Sequence, residues 1–225
     1  MRMQKQAKIE PFLFLSYCFT KIMSISHSSP SSDASISPKS PLFLFGLLVV
    51  IGFSRYLPLD HSDFFNFSPT LAIFLIAGSY LRGIWSWTAP LCAVFVSDLF
   101  LNAAYGMNWL EPYMMITCLS YLVIFGLGKW MGPTRKLSYL AGGAIGSALL
   151  FHLITCSFSW IANPAYIKSL GGLLQAWTLG EPGFTPAYMF LKNSVLSTLF
   201  FAFALRWAIS LKPEQIPSRQ ASSVS

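Results

Sequence analysis

The sequence predicts an all-α integral membrane protein with six transmembrane helices and both termini cytoplasmic, on three observations. Composition is the first: hydrophobic residues make up 54% of the 225-residue chain and charged residues 10%, against a charged fraction of about 25% in soluble domains. Mean hydropathy is +0.57. The second is run length, because six apolar runs approach or exceed the roughly 20 residues that cross about 30 Å of hydrocarbon. The third is the placement of Lys and Arg, which collect on alternate connections as cytoplasmic loops do. A membrane barrel is a poor alternative, since the runs lack period-2 alternation.

Residues 1–40 form a Ser- and Pro-rich tail, with "SISHSSPSSDASISPKSP" at its centre, and this composition predicts disorder. The upstream "PFLFLSYCF" is too short to span. It follows a basic start like a signal peptide, but no small-x-small cleavage site comes after it. A translation start at Met23 is an alternative reading. The six-helix domain occupies 41–211. Its first run is "PLFLFGLLVVIGFSRYLP" (41–58) and its second, shorter, is "PTLAIFLIAGSYLRGI" (69–84). The third is "TAPLCAVFVSDLFLNAAY" (88–105), and the fourth "EPYMMITCLSYLVIFGLGKWM" (111–131). "SYLAGGAIGSALLFHLITCSFSWI" (138–161) and "FTPAYMFLKNSVLSTLFFAFALRWAISL" (184–211) complete the set, before a polar tail at 212–225.

Cations orient the bundle. Arg2, Lys5, Lys8, Lys21 and Lys39 precede the first run; Arg82 is at the end of the second; Lys129 is at the end of the fourth, with Arg135 and Lys136 after it; Arg206, Lys212 and Arg219 end or follow the sixth. Lys168 is the one cation in the opposite loops. The net charge of +7 is thus a topology signal, with anionic lipid secondary. It does not point to nucleic acid, which needs basic and aromatic residues on a soluble face.

Directed helices place the polar residues in depth. Arg55, Asp98, Asn102, His152 and Thr155 fall in the outer half, and so do Glu111, Tyr113, Lys192 and Asn193. The inner half holds end-of-helix cations, whose stems reach the headgroups. A charge at the centre of a lipid-facing helix costs at least about 2.5–3.5 kcal/mol, so Asp98 is expected to face the bundle interior and meet a partner. Arg55 is the candidate, either as a structural ion pair or as a second wall of a pocket open to the outside. The connection at 162–183 is long for a helical bundle and carries Tyr166 and Trp177. Trp109, Trp160 and Trp177 fit either a flat ligand or the aromatic belt of a membrane interface.

Other motifs carry less. Gly142 and Gly146 have GxxxG spacing beside Ala144 and Ala148, where another helix can approach closely, either within the bundle, the expected use, or from a partner subunit. Cys18, Cys92, Cys118 and Cys156 lack CxxC spacing and read as small apolar fillers. HExxH, GxSxG and Walker-type loops are absent from the sequence. No enzyme activity, cofactor or metal is expected.

Several stretches resemble a family of uncharacterised bacterial membrane proteins of unknown function described as transport proteins: "NFSPTLAIFLIAGSYL" and "APLCAVFVSDLFLN", then "LLFHLITCSFSWIANPAYIKSLGGLLQAW" and "GFTPAYMFLKNSVLSTLFF". That family is similar in helix count and topology to the S components of energy-coupling-factor (ECF) vitamin transporters. The resemblance implies a multi-pass protein of the bacterial inner membrane, an S-component-like bundle that captures a vitamin-class solute at the outer face. Its partners would be the lipid bilayer, a small-molecule ligand and a coupling membrane subunit with ATPases. Carried over by position, the family pattern points to Arg55, Asn66, Pro69, Asp98, Tyr113, Thr155, Trp160 and Tyr166. Cys156 stands where the family tends to have Asn, and Lys192 and Asn193 stand at an acidic position. The expected substrate-binding set is therefore Arg55, Asn66, Asp98, Asn102, Tyr113, His152, Thr155, Trp160, Tyr166, Lys192 and Asn193. Alternatives are an ion-coupled carrier or channel using the same polar residues, and a noncatalytic membrane assembly subunit.

Overall fold

The computed structural model of the protein describes residues 46, 49–55, 66–133 and 136–210. The predicted tails at 1–40 and 212–225, and most of the first run, lie outside the described residues. Within them the chain is all helical, without strands. The elements are α1 (residues 49–55), α2 (Thr70–Tyr80), α3 (Trp85–Ala104), α4 (Pro112–Met131), α5 (Leu137–Ala162), α6 (Leu170–Thr178) and α7 (Ala187–Ser210).

Four helices, α3, α4, α5 and α7, are long and apolar enough to cross a membrane. They coincide with the third to sixth apolar runs to within about three residues at each end, the usual uncertainty of an element boundary. This is a membrane protein by the length and composition of those helices.

The second run behaves differently. It forms the 11-residue α2, about 16 Å long at 1.5 Å per residue, half of a bilayer crossing. The chain leaves the helix at Leu81, whose backbone is extended. Buried residues include Thr70, Leu71, Ala72, Phe74, Leu75, Ile76, Ala77, Gly78 and Ser79, so α2 has no outward face of any size. A helix apolar all round is one enclosed all round. Its main neighbour is α4, with α7, α3 and α5 around it. The run's hydropathy thus reflects burial in protein, which run length alone does not distinguish from burial in lipid.

α2 and α4 lie parallel and touch backbone to backbone. A Cβ on Gly78 would run into the Phe125 carbonyl, and a Cβ on Gly128 into the Leu75 carbonyl. Ser79 Oγ donates at this seam to the carbonyls of Leu75 (2.9 Å) and Gly128 (3.0 Å). Small residues permit such an approach in membrane bundles, where packing replaces the hydrophobic effect as the driving force. α4 then stops at Gly132, which takes φ 64° and donates its N–H to the Gly128 carbonyl at 3.0 Å; this left-handed turn suits glycine.

The expected GxxxG contact is not on the inside of the bundle. A Cβ on Gly142 or Gly146 would meet open space, whereas Gly143 lies against Met131, and Ala144 and Ala148 are fully buried. One register step on α5 separates the buried face from the open one. The long 162–183 connection is not all loop: it holds the nine-residue helix α6. Its N-cap is Ser169, whose Oγ accepts from the Gly172 N–H at 3.2 Å, the standard way a hydroxyl satisfies an orphan donor.

Candidate functional site

α1, α3 and α5 end, and α2, α4 and α7 begin, at the same end of the bundle, and the polar residues gather there. Arg55 on α1 donates through Nη2 to Asp98 Oδ1 on α3, and through Nη1 to the Tyr121 hydroxyl on α4 at 3.1 Å. This is the one ion pair among the described residues. Asp98 is only 5% exposed. A carboxylate at that depth is tolerable because the guanidinium is beside it; either partner alone would be an uncompensated buried charge. Tyr121 is held in turn between two rings, stacked on Phe74 with centroids 4.9 Å apart and on Phe151 at 5.3 Å. The guanidinium is thus fixed from two sides.

Next to this pair is a cavity of about 230 Å³. Ser54 and Arg55 line it from α1; Asn66, Ser68 and Thr70 from the entry to α2; Tyr113, Thr117 and Tyr121 from α4; and Ser194 from α7. Phe67, Leu71, Leu101, Tyr105 and Phe151 complete the wall. The hydroxyls form local chains: Ser68 Oγ lies 2.6 Å from Thr70 Oγ1 and 3.2 Å from Ser54 Oγ. Thr117 Oγ1 gives its proton to the Tyr113 carbonyl at 2.8 Å, which leaves the oxygen as an acceptor. Asn66 takes φ 60°, a left-handed conformation that Asn tolerates better than most residues, and so turns the chain toward Pro69 and α2.

Of the residues expected from sequence, the structure brings Arg55, Asn66 and Tyr113 to the cavity wall, with Asp98 behind Arg55. Thr155 is buried on α5 and donates to its own helix, to the Phe151 carbonyl at 2.8 Å. Asn102 ties the α3–α4 connection, donating to the Trp109 carbonyl and to Met114 Sδ, both at 3.3 Å. Asn193 is half-buried on α7 and Lys192 is exposed on it.

His152, Trp160 and Tyr166 belong to a second polar group, which fastens α6 to α5. His152 is buried, with Nε2 2.7 Å from the Trp177 carbonyl; a hydrogen bond there requires the proton on Nε2. Trp177 Nε1 donates to Ser157 Oγ at 3.0 Å, and Trp160 Nε1 to the Ile167 carbonyl at 3.0 Å. Lys168 Nζ donates to the carbonyls of Trp160 and Asn163, and Asn163 Nδ2 donates to Glu181 Oε2 at 2.7 Å. Tyr166 is buried in the loop between them; desolvation, with Glu181 and Cys156 nearby, pushes its phenol above the ordinary range, so it stays protonated at neutral pH.

The sequence reading missed Tyr121, Thr117, Ser194, Ser54, Ser68 and Thr70. A signal for part of this set was present: Tyr113, Thr117 and Tyr121 recur every four residues and form one polar stripe on an apolar helix. Cys92, Cys118 and Cys156 are free thiols.

Fold and site together define a helical membrane protein with a small cavity, walled by both polar and apolar side chains, at one end of its bundle. The chain belongs to a family of unknown function (DUF6580), whose model matches residues 36–219. No curated protein and no solved structure matches it.

Proposed function

We propose that this protein is the solute-binding membrane subunit of a small-molecule uptake transporter, a bundle of six passes, the second of them made by the half-length α2 together with the chain after it, with both termini cytoplasmic in a bacterial inner membrane. The observation that carries this reading is the cavity beside a buried ion pair, with a guanidinium, an amide and several hydroxyls together on its wall. Structural needs alone call for a partner for Asp98. They do not call for an adjoining space with Arg55, Asn66 and several hydroxyls on its wall, because ligand sites are concave and mostly apolar, with a few convergent polar groups.

In this reading the cavity lies at the outer face and α6 with its flanking loops borders that face. Arg55, oriented by Asp98 and Tyr121, receives the solute. The described residues contain no nucleotide-binding loop, so inward release would depend on a coupling membrane subunit with ATPases, the arrangement expected if the likeness in helix count and topology to S components holds. The chain itself would carry out no chemical step. Purification from membranes followed by native mass spectrometry tests the reading: a bound small molecule is expected, lost on Thr117→Val combined with Tyr113→Phe, with coupling ATPases in the same preparation. A protein that carries no solute but conducts an ion-dependent current overturns it.

A second reading has its own support. Arg55 and Asp98 satisfy each other, and Tyr121 braces them, as an assembly subunit with purely structural polar groups would require. Asp98→Asn separates the two: loss of stability with intact uptake per folded molecule favours assembly, and stable protein with lost uptake favours binding.

A further inference from the structure

We infer that the cavity takes a small, uncharged solute bearing a hydrogen-bond acceptor, such as a carboxamide or ring carbonyl, which Arg55 receives. This rests on the solute-binding reading above and narrows it to a chemical class.

Charge decides first. Arg55 is the one charged residue lining the cavity among the described residues, and Asp98 already pairs with it. The two sum to zero. An anion held beside this neutral pair would leave one negative charge uncompensated, and a cation would add to Arg55; an uncharged solute incurs neither penalty.

Hydrogen bonding decides next. Asp98 and Tyr121 use two of the N–H groups of the guanidinium, one on each terminal nitrogen, which leaves one N–H on Nη1 and one on Nη2; Nε has no hydrogen-bond partner among the described residues but is fully buried and turned away from the cavity space. Tyr121 accepts from Arg55, so its own hydroxyl proton remains to be donated. Donors therefore outnumber acceptors on this side of the cavity. Beside Tyr121 on the same stripe of α4, Thr117 has spent its proton on the Tyr113 carbonyl and offers an oxygen. An acceptor with an adjacent N–H, the pattern of a carboxamide, matches both. Phe67, Leu71 and Phe151 provide apolar wall for the remainder. The volume of about 230 Å³ is below the ~300–1,000 Å³ of sites for drug-sized ligands.

The test compares three probes of one shape and different charge, benzamide, benzoate and benzylamine, by thermal shift and calorimetry on the full chain in lipid nanodiscs. Benzamide is expected to stabilise the protein and to bind at least tenfold tighter than either ion. Arg55→Lys, which keeps the positive charge beside Asp98 but not the guanidinium donors, is expected to abolish that preference. Tighter binding of benzoate or benzylamine overturns the uncharged class and leaves solute binding standing. Any co-purified molecule identified by native mass spectrometry is a second measurement: an uncharged amide or carbonyl compound upholds the class, and an ion overturns it. Protein that carries nothing and responds to none of the probes overturns both the class and the solute-binding reading.

Discussion

The two ends of α2 contrast sharply, although the same neighbour, α4, runs along both. At one end Gly78 and Gly128 let the backbones meet, and Ser79 bridges them. At the other end Thr70 and Leu71 face Tyr113, Thr117 and Tyr121 across a cavity. Between them the Phe74–Tyr121 stack sets the spacing. Side-chain size therefore distributes the space: where the residues are glycine the helices close, and where an aromatic ring props them they part. The difference teaches that the cavity is built in by residue choice along one helix pair, with the glycine seam as its fulcrum.

The largest expected effect breaks the open end. Asp98→Ala strands the Arg55 charge in the bundle and should cost about 3–5 kcal/mol of stability, read as a drop in the thermal or denaturant midpoint of purified protein. Restoring neutrality with Arg55→Met on top of Asp98→Ala should recover much of that loss, and a double-mutant cycle measures the coupling directly. An Asp98→Ala protein as stable as wild type would mean that the pair does not hold the bundle.

Breaking the closed end comes next. Gly78→Ala or Gly128→Ala drives a methyl into a backbone carbonyl, where no flexible side chain can give way, and should cost about 1–3 kcal/mol. Gly142→Ala and Gly146→Ala face open space and should stay within about 0.5 kcal/mol. Equal effects at all four glycines would remove the distinction between seam and surface.

Smaller effects sharpen the functional half of the comparison. Thr117→Val removes a cavity oxygen without changing shape much, so the melting temperature should move by the equivalent of about 1 kcal/mol or less while solute retention falls. Lys192→Ala, on an exposed face of α7, should alter neither; a loss of retention there would return Lys192 to the site.

Particular residues show how far the sequence could be read. Asp98 signalled itself, because a carboxylate inside an apolar run demands a partner, and Arg55 was the right one. The boundaries of α3, α4, α5 and α7 were legible because each is a continuous apolar run of bilayer length. α6 was legible in principle: Ser169 as cap, then Leu170, Leu173, Leu174 and Trp177 at helical spacing. His152 misled, since depth in the membrane placed it with Asp98 while its side chain turns toward α6. Depth fixes one coordinate of a residue in a bundle and leaves its rotation about the helix axis open.

The sequence by itself determined that this chain is a helical membrane protein, where its long helices run, and that Asp98 must be paired, because hydropathy and the cost of a lone buried charge act locally. Only the tertiary structure decided that the second apolar run is a half-length helix buried at the centre, that Gly78 and Gly128 close one end of it, and that Tyr121 meets Arg55 where Thr117 shares the wall of the same cavity. Those outcomes depend on which faces of separate helices meet. Because lipid and protein interior are equally apolar, hydropathy is silent about which of the two a face will touch.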